Sequence, residues 1–168
     1  MSFSAKVMLL GDIGVGKSSL AKRLIFGKFD SDYKTTIGVD ILSYELALPA
    51  IEPPVLAKLM LWDTDGDFGH HIFKSVYIAG ASGALVVSDA SRPPTIQKMF
   101  DLAAAFLERL PGRSVRCVVN KTDIVTPDLS GMDLRGILME QVCFSSAKTG
   151  EGVAAAFASI AGDIHRRR

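Results

Sequence analysis

The chain has 168 residues, 48% of them apolar, with 19 basic and 18 acidic residues and a formal net charge of +1. That length predicts one domain over residues 1–168 with a sizeable core, and the near-neutral balance excludes a global pull toward nucleic acid or an acidic membrane surface. No apolar run approaches the ~20 residues needed to span a bilayer, no signal-peptide pattern is present, residue 2 is Ser, and no Cys lies near the C-terminus. Neither a membrane helix nor a lipid anchor is therefore expected in this chain.

The first expected element is a strand over 4–10, ending in the apolar run Val7-Met8-Leu9-Leu10. Gly11-Asp12-Ile13-Gly14-Val15-Gly16-Lys17-Ser18 follows and fits G-x-x-x-x-G-K-S. In such a loop glycines let successive N–H groups fold around a triphosphate. Lys17 supplies a point charge to the β- and γ-phosphates, and the Ser18 hydroxyl can ligate Mg²⁺. A helix over 17–27, whose N-terminus also favours anions, completes the pattern. The residues expected to hold phosphate are Gly14, Val15, Gly16, Lys17, Ser18 and Ser19.

Strands over 39–48 and 56–62 come next, joined through Pro49-Ala50-Ile51-Glu52-Pro53-Pro54. Prolines exclude a continuous strand there, so an antiparallel hairpin is predicted. A helix over 69–80 and a strand over 84–88 follow. In a helix over 95–110, Met99, Leu102, Ala103, Phe106 and Leu110 recur at helical spacing and mark the buried face. The remaining expectations are a strand over 115–119, a weak helix near 131–139, a strand over 141–145 and a helix over 151–166. Strands alternating with helices predict an α/β fold, a mostly parallel sheet covered on both faces. Cys117 and Cys143 lie inside apolar runs and read as buried strand residues in a reducing compartment, which points to the cytoplasm. The terminal Arg166-Arg167-Arg168 reads as a solvated helix end.

Two later segments narrow the ligand from a nucleotide to a guanine nucleotide. In Asn120-Lys121-Thr122-Asp123, an Asp carboxylate can accept from guanine N1–H and the exocyclic amine together. Adenine lacks that donor pair, so a desolvated Asp rejects it. Asn120 can brace the neighbouring loops, and the Lys121 stem can lie along the base. In Ser145-Ser146-Ala147-Lys148, a backbone N–H can donate to guanine O6. Both segments follow apolar runs, and ligands gather at strand C-termini in such sheets.

With these motifs in order, the whole chain resembles the Ras-like small GTPases, and among them the Rab branch. The resemblance implies the P-loop NTPase (small G-protein) fold with six strands, and GTP or GDP with Mg²⁺ as ligands. Thr36-Ile37-Gly38-Val39-Asp40 resembles the Rab segment T-I-G-V-D. By that likeness Thr36 closes over Mg²⁺ and the γ-phosphate, Tyr33 covers the phosphates, and Phe29 packs against the nucleotide. Trp62-Asp63-Thr64 matches the start of W-D-T-A-G-Q, so Asp63 would hold Mg²⁺ through water and the Gly66 N–H would sense the γ-phosphate. The implied metal set is Ser18, Thr36 and Asp63, and the implied catalytic set is Lys17, Thr36, Gly66 and Asp67. Asn120, Lys121, Asp123, Ser146, Ala147 and Lys148 would handle the base. Effector, exchange and activating proteins would bind through 28–40 and 63–76 of a monomer.

Three departures from the family bear on hydrolysis. Asp67 stands where the family has the glutamine that orients water, and an ionised Asp only accepts hydrogen bonds. Asp65 replaces an alanine and adds charge near the phosphates. Ile13 replaces a small residue past which that glutamine and an arginine finger must move. Asp63-Thr64-Asp65-Gly66-Asp67 hints at a calcium loop, but the downstream Glu of an EF-hand is missing. His70 and His71 read as a surface pair pointing in different directions. On the Rab effector surface Trp62 and Tyr77 match, while Ile41 replaces the usual Phe. Two readings stay open: a switch that hydrolyses GTP slowly, or a nucleotide-binding interaction module with negligible turnover, possibly locked on GDP.

Overall fold

Ser2–Gly11 form β1 in the computed structural model, which describes residues 1–29 and 38–168. Lys17–Phe26 form α1, Val39–Leu48 β2, Val55–Thr64 β3, Gly83–Asp89 β4, Pro93–Arg109 α2, Ser114–Asn120 β5, Val142–Phe144 β6 and Val153–Arg166 α3. The sheet order is β2-β3-β1-β4-β5-β6. β2 pairs antiparallel with β3 through the predicted hairpin, and every other neighbour pair is parallel. All seven residues of β4 are buried, as a central strand covered on both faces requires.

Strand alternation divides the apolar residues between two cores. Val7, Leu9, Leu59 and Leu61 face Leu20 of α1 and Phe157 and Ile160 of α3. Met8, Leu10, Val86 and Val119 face Met99, Phe100 and Phe106 of α2 on the other side. The two layers hold the strand ends, and with them the P-loop and both base-reading segments, at one edge of the sheet. Cys117 is buried in the α2-side core, whereas Cys143 is only half-buried.

Two helix expectations fail. Residues 69–80 do not form one helix: short 3-10 turns run over Gly66–Lys74 and Val76–Ile78. Gly69 (φ 46°, ψ −131°) and the extended Ser75 (φ −89°, ψ 164°) interrupt the helical path. Residues 131–139 form turns, with a 3-10 turn only at Met139–Gln141. Here Asp128 and Asp133 accept from the N–H groups of Ser130 and Arg135, each at 2.9 Å. Such side-chain turns compete with the helix, and Gly131, Arg135 and Gly136 all have positive φ.

Candidate nucleotide-binding site

The P-loop joins β1 to α1 and is held from within. Lys17 is the first residue of α1 and only 6% exposed; its Nζ donates to Gly11 O and Asp12 O, both at 2.9 Å. Burial lowers the Lys17 pKa to about 8, against the opposing pull of Asp63, Asp12 and Asp65. An ammonium has three donors, so the loop carbonyls leave capacity for a phosphate oxygen. The first helical bond runs from Leu20 N–H to Gly16 O at 2.9 Å. N–H groups of the turn before it point toward the loop, where an anion would sit. Gly14 and Gly16 take positive φ, and a Cβ on Gly16 would meet Asn120 Nδ2 at 2.3 Å. Ser18 Oγ donates to Asp63 Oδ2, on a carboxylate that is 1% exposed at the end of β3. Val15 is buried, and Ser19 is half-buried in the first turn.

The base-reading segments converge on the same edge. Asn120, 1% exposed, ties three loops together. Its Nδ2 donates to Val15 O at 3.0 Å, and its Oδ1 accepts from Ser145 Oγ at 3.0 Å and Ala147 N–H at 3.2 Å. Ala147 N–H is thereby engaged within the protein. Lys121 adopts φ 69°, unusual for a side-chain-bearing residue, and its Nζ reaches Gly14 O at 2.8 Å and Asp89 Oδ2 at 3.0 Å. Asp123 is exposed and accepts from the buried Ser146 hydroxyl at 2.7 Å. The carboxylate keeps acceptor positions for a base edge. Lys148 is exposed, and its carbonyl accepts from Arg23 at 3.4 Å.

The segment after β3 is built differently. Gly66 is buried against the P-loop, and a Cβ there would lie 2.5 Å from Ile13 N and 2.8 Å from Asp12 C. Only glycine fits. Asp65 has a local structural role that its replacement of alanine did not suggest: its Oδ1 accepts from Asp67 N–H at 2.9 Å and caps the 3-10 turn. Asp67, His70 and His71 are exposed. Trp62 lies beside Tyr77 at 6.4 Å between ring centroids and pairs with the half-exposed Ile41 across β2–β3. Phe29 is 39% exposed, and Tyr33 and Thr36 lie outside the described residues.

Sequence reasoning missed a brace behind the loop. Both terminal nitrogens of Arg92 donate to Ile13 O at 3.0 Å, and Lys98 donates to Asp12 Oδ1 at 3.2 Å. Asp89, 1% exposed, pairs with Lys121. Burial pushes the Asp89 carboxyl up, but hydrogen bonds from Ser91 and Lys121 more than offset it and leave it below the usual range. The available signal was a polar Asp closing an apolar strand, with an Arg three residues on.

The donor set suits a Mg²⁺-bound nucleotide. A hydroxyl and a buried carboxylate supply the hard oxygen donors that Mg²⁺ takes alongside phosphate oxygens and waters. Among the described residues no group of three His, Cys, Asp or Glu side chains forms a separate metal site, and no helix is long and apolar enough to cross a membrane. The family described as "Ras of Complex, Roc, domain of DAPkinase" matches residues 6–123. The chain is 32% identical to Ras-related protein Rab-5B of Plasmodium falciparum over 96% of its length and 78% of the relative's. It is 33% identical to RABA1b of Arabidopsis thaliana, covering 96% and 75% of the two chains. RABF2b of the same plant is 31% identical over 98% and 83%. With the P-loop, the guanine-type segments and this sheet order in one chain, the protein belongs to the Ras-like small GTPases, among the Rab-related proteins.

Proposed function

We propose that residues 1–168 form one G domain acting as a monomeric, cytoplasmic, Rab-like guanine-nucleotide switch that hydrolyses GTP slowly. The observation that carries the nucleotide reading is Asn120, which links the P-loop to both base segments through buried hydrogen bonds. This link would hold the phosphate and base sites at one spacing. In this reading Asp123 takes the two guanine donors, a backbone N–H of the 146–148 turn meets O6, and Lys121 flanks the base. Gly14–Ser19 cradle the phosphates, with Lys17 on the β- and γ-oxygens. Bound Mg²⁺, held by Ser18 and Thr36 directly and Asp63 through water, would neutralise phosphate charge. Tyr33 and Phe29 close the pocket, and Gly66 N–H reports the γ-phosphate. Ordering of 28–40 and 63–76 would then select effector, exchange and activating proteins.

Slow turnover follows from Asp67 and Ile13. Asp67 is exposed, and an ionised carboxylate can accept from water but cannot donate to phosphoryl oxygens. Ile13 places a β-branched side chain where an external arginine must approach. An arginine finger is worth ~10³–10⁵ in rate, so loss of access weighs heavily. The same two residues favour the second reading, a module with negligible turnover. Single-turnover hydrolysis of preloaded GTP, with chromatography of the bound nucleotide, separates them. Slow but measurable conversion is expected. No conversion within a day sinks the enzyme reading, and failure to load GTP while GDP binds selects the GDP-locked module.

A further inference from the structure

Helix α2 holds the P-loop and the segment after β3 together. At its start, both terminal nitrogens of Arg92 donate to Ile13 O at 3.0 Å, and further along the helix Lys98 donates to Asp12 Oδ1 at 3.2 Å. At its other end Arg109 donates to the carbonyl of the buried Phe73 at 3.3 Å. Lys98 also lies close to Gly69, where an added Cβ would be 4.0 Å from its Nζ.

The contacts at the start of α2 converge on one peptide group, the one that joins Asp12 to Ile13. Its N–H donates to Asp12 Oδ1 at 2.9 Å, the carboxylate oxygen that Lys98 also holds. Its carbonyl accepts from Lys17 Nζ at 2.9 Å. The peptide is thus held toward an α2 ammonium on one side and toward Lys17 on the other, and Arg92 fixes the carbonyl that follows it. Burial pushes the Asp12 carboxyl up, but hydrogen bonds from Ile13 N–H and Lys98 outweigh it and leave the group below the usual range. Gly66 packs against the same peptide, since a Cβ on Gly66 would lie 2.5 Å from Ile13 N and 2.8 Å from Asp12 C. At that closeness a tilt of the peptide must move Gly66.

Stability does not account for the arrangement. The Lys98 and Asp12 side chains are each 33% exposed and Arg92 is 44% exposed. Ion pairs so open to water contribute only ~0–1 kcal/mol. What they fix is direction.

We propose that Arg92 and Lys98 are positioning residues for the γ-phosphate: by fixing the Asp12–Ile13 peptide they fix the seat of Gly66, and so set the preference for guanosine triphosphate over diphosphate. On the guanine-switch reading, on which this rests, the Gly66 N–H meets a group that one ligand has and the other lacks. A displaced seat therefore weakens the triphosphate selectively.

The test loads the whole chain with fluorescent GDP and Mg²⁺ and displaces it in turn with GDP and with a nonhydrolysable GTP analogue. Arg92→Met and Lys98→Met should each lower the ratio of triphosphate to diphosphate affinity, and together by about fivefold, the worth of one hydrogen bond. Lys98→Arg, which keeps the charge, should restore the native ratio. Each single variant removes one partly exposed side chain and is expected to fold, so either alone decides the question. In the isotope-labelled GDP-bound chain, Lys98→Met should move the amide signals of Ile13 and Gly66 and leave that of Ala147 in place. An unchanged ratio, both affinities falling in parallel, a ratio that Lys98→Arg fails to restore, or a Gly66 signal that stays while that of Ile13 moves overturns the proposal and leaves the guanine-switch reading standing. A native chain that takes GDP but not the triphosphate overturns the proposal and selects the GDP-locked module. A native chain that binds no fluorescent GDP overturns both the proposal and the guanine-switch reading.

Discussion

The loops from β1, β5 and β6 and the segment 65–71 meet at one edge of the sheet, yet they are built in opposite ways. In the first group, Lys17 is buried on carbonyls of its own loop, and Asn120, Ser145 and Ser146 are buried and joined by side-chain hydrogen bonds between distant parts of the chain. In the second, Gly66 alone is locked against the P-loop, while Asp67, His70 and His71 stand exposed on a 3-10 turn capped locally by Asp65. On the proposed reading, rigidity is placed where a nucleotide would be held, and local, easily rearranged bonds where it would be cleaved or sensed. Short-range caps between Gly66 and the buried Ile72 and Phe73 rearrange at low cost, because they do not themselves bond to distant parts of the chain.

The comparison breaks or sharpens on four measurements. The largest effect is expected at Asp123. Asp123→Asn should weaken GDP binding on the order of a thousandfold (about 4 kcal/mol), since it puts a donor opposite guanine donors. Xanthosine triphosphate should then compete better than GTP. Equal GDP affinity in the variant would remove the base-reading role from this loop.

Asn120→Ala comes next. It strands Val15 O, Ser145 Oγ and Ala147 N–H in a buried place, so urea unfolding should show a loss of about 3 kcal/mol. A loss below half of that would mean that the three loops are held by other contacts. Asp67→Gln combined with Ile13→Gly should change stability little and speed single-turnover hydrolysis on the order of ten- to a hundredfold. An unchanged rate would show that the departures at these positions are not what limits turnover.

The last measurement, whose effect is smallest near neutral pH, concerns the strand that carries Asn120. Burial pushes the Cys117 thiol up from 9.0 to about 12. A raised folded pKa contributes stability that is intact below the unfolded value near 9 and is lost as pH rises toward 12. The loss is about 1.4 kcal/mol per pH unit within that window. Unfolding curves between pH 8 and 11 should therefore fall more steeply for the native chain than for Cys117→Ala. Parallel slopes would mean that the β5 core admits water.

Much of the molecule was legible before any coordinates. β2 matches its predicted bounds over 39–48, and β1, β3, β4 and β5 extend the predicted strands by one or two residues at each end. Buried parallel strands are near-continuous apolar runs, a signal that does not depend on neighbours. The helix over 69–80 was misread because apolar spacing carries no information about a φ reversal at Gly69 or an extended Ser75. The helix near 131–139 failed to local competition from Asp128 and Asp133. In the site, Lys17, Ser18, Asn120 and Asp123 were readable from spacing. Arg92, Lys98 and Asp89 were not, because contacts of Arg92 and Lys98 with the P-loop, and of Asp89 with Lys121, leave no periodic trace.

By itself, the sequence determined the residue pattern on which the proposed chemistry rests: the glycine spacing around Lys17 and Ser18, and the Asp123 proposed to turn a phosphate cradle into a guanine site. These are set by residue type and local backbone freedom, which operate over a few neighbouring residues. Only the tertiary structure decided that Asn120 joins three loops, that Asp65 caps its own turn, and that Gly66 seats on the peptide before Ile13. Each of these is a distance between residues far apart in the chain or a direction of a side chain, and sheet order and strand alternation create both only when the two cores close.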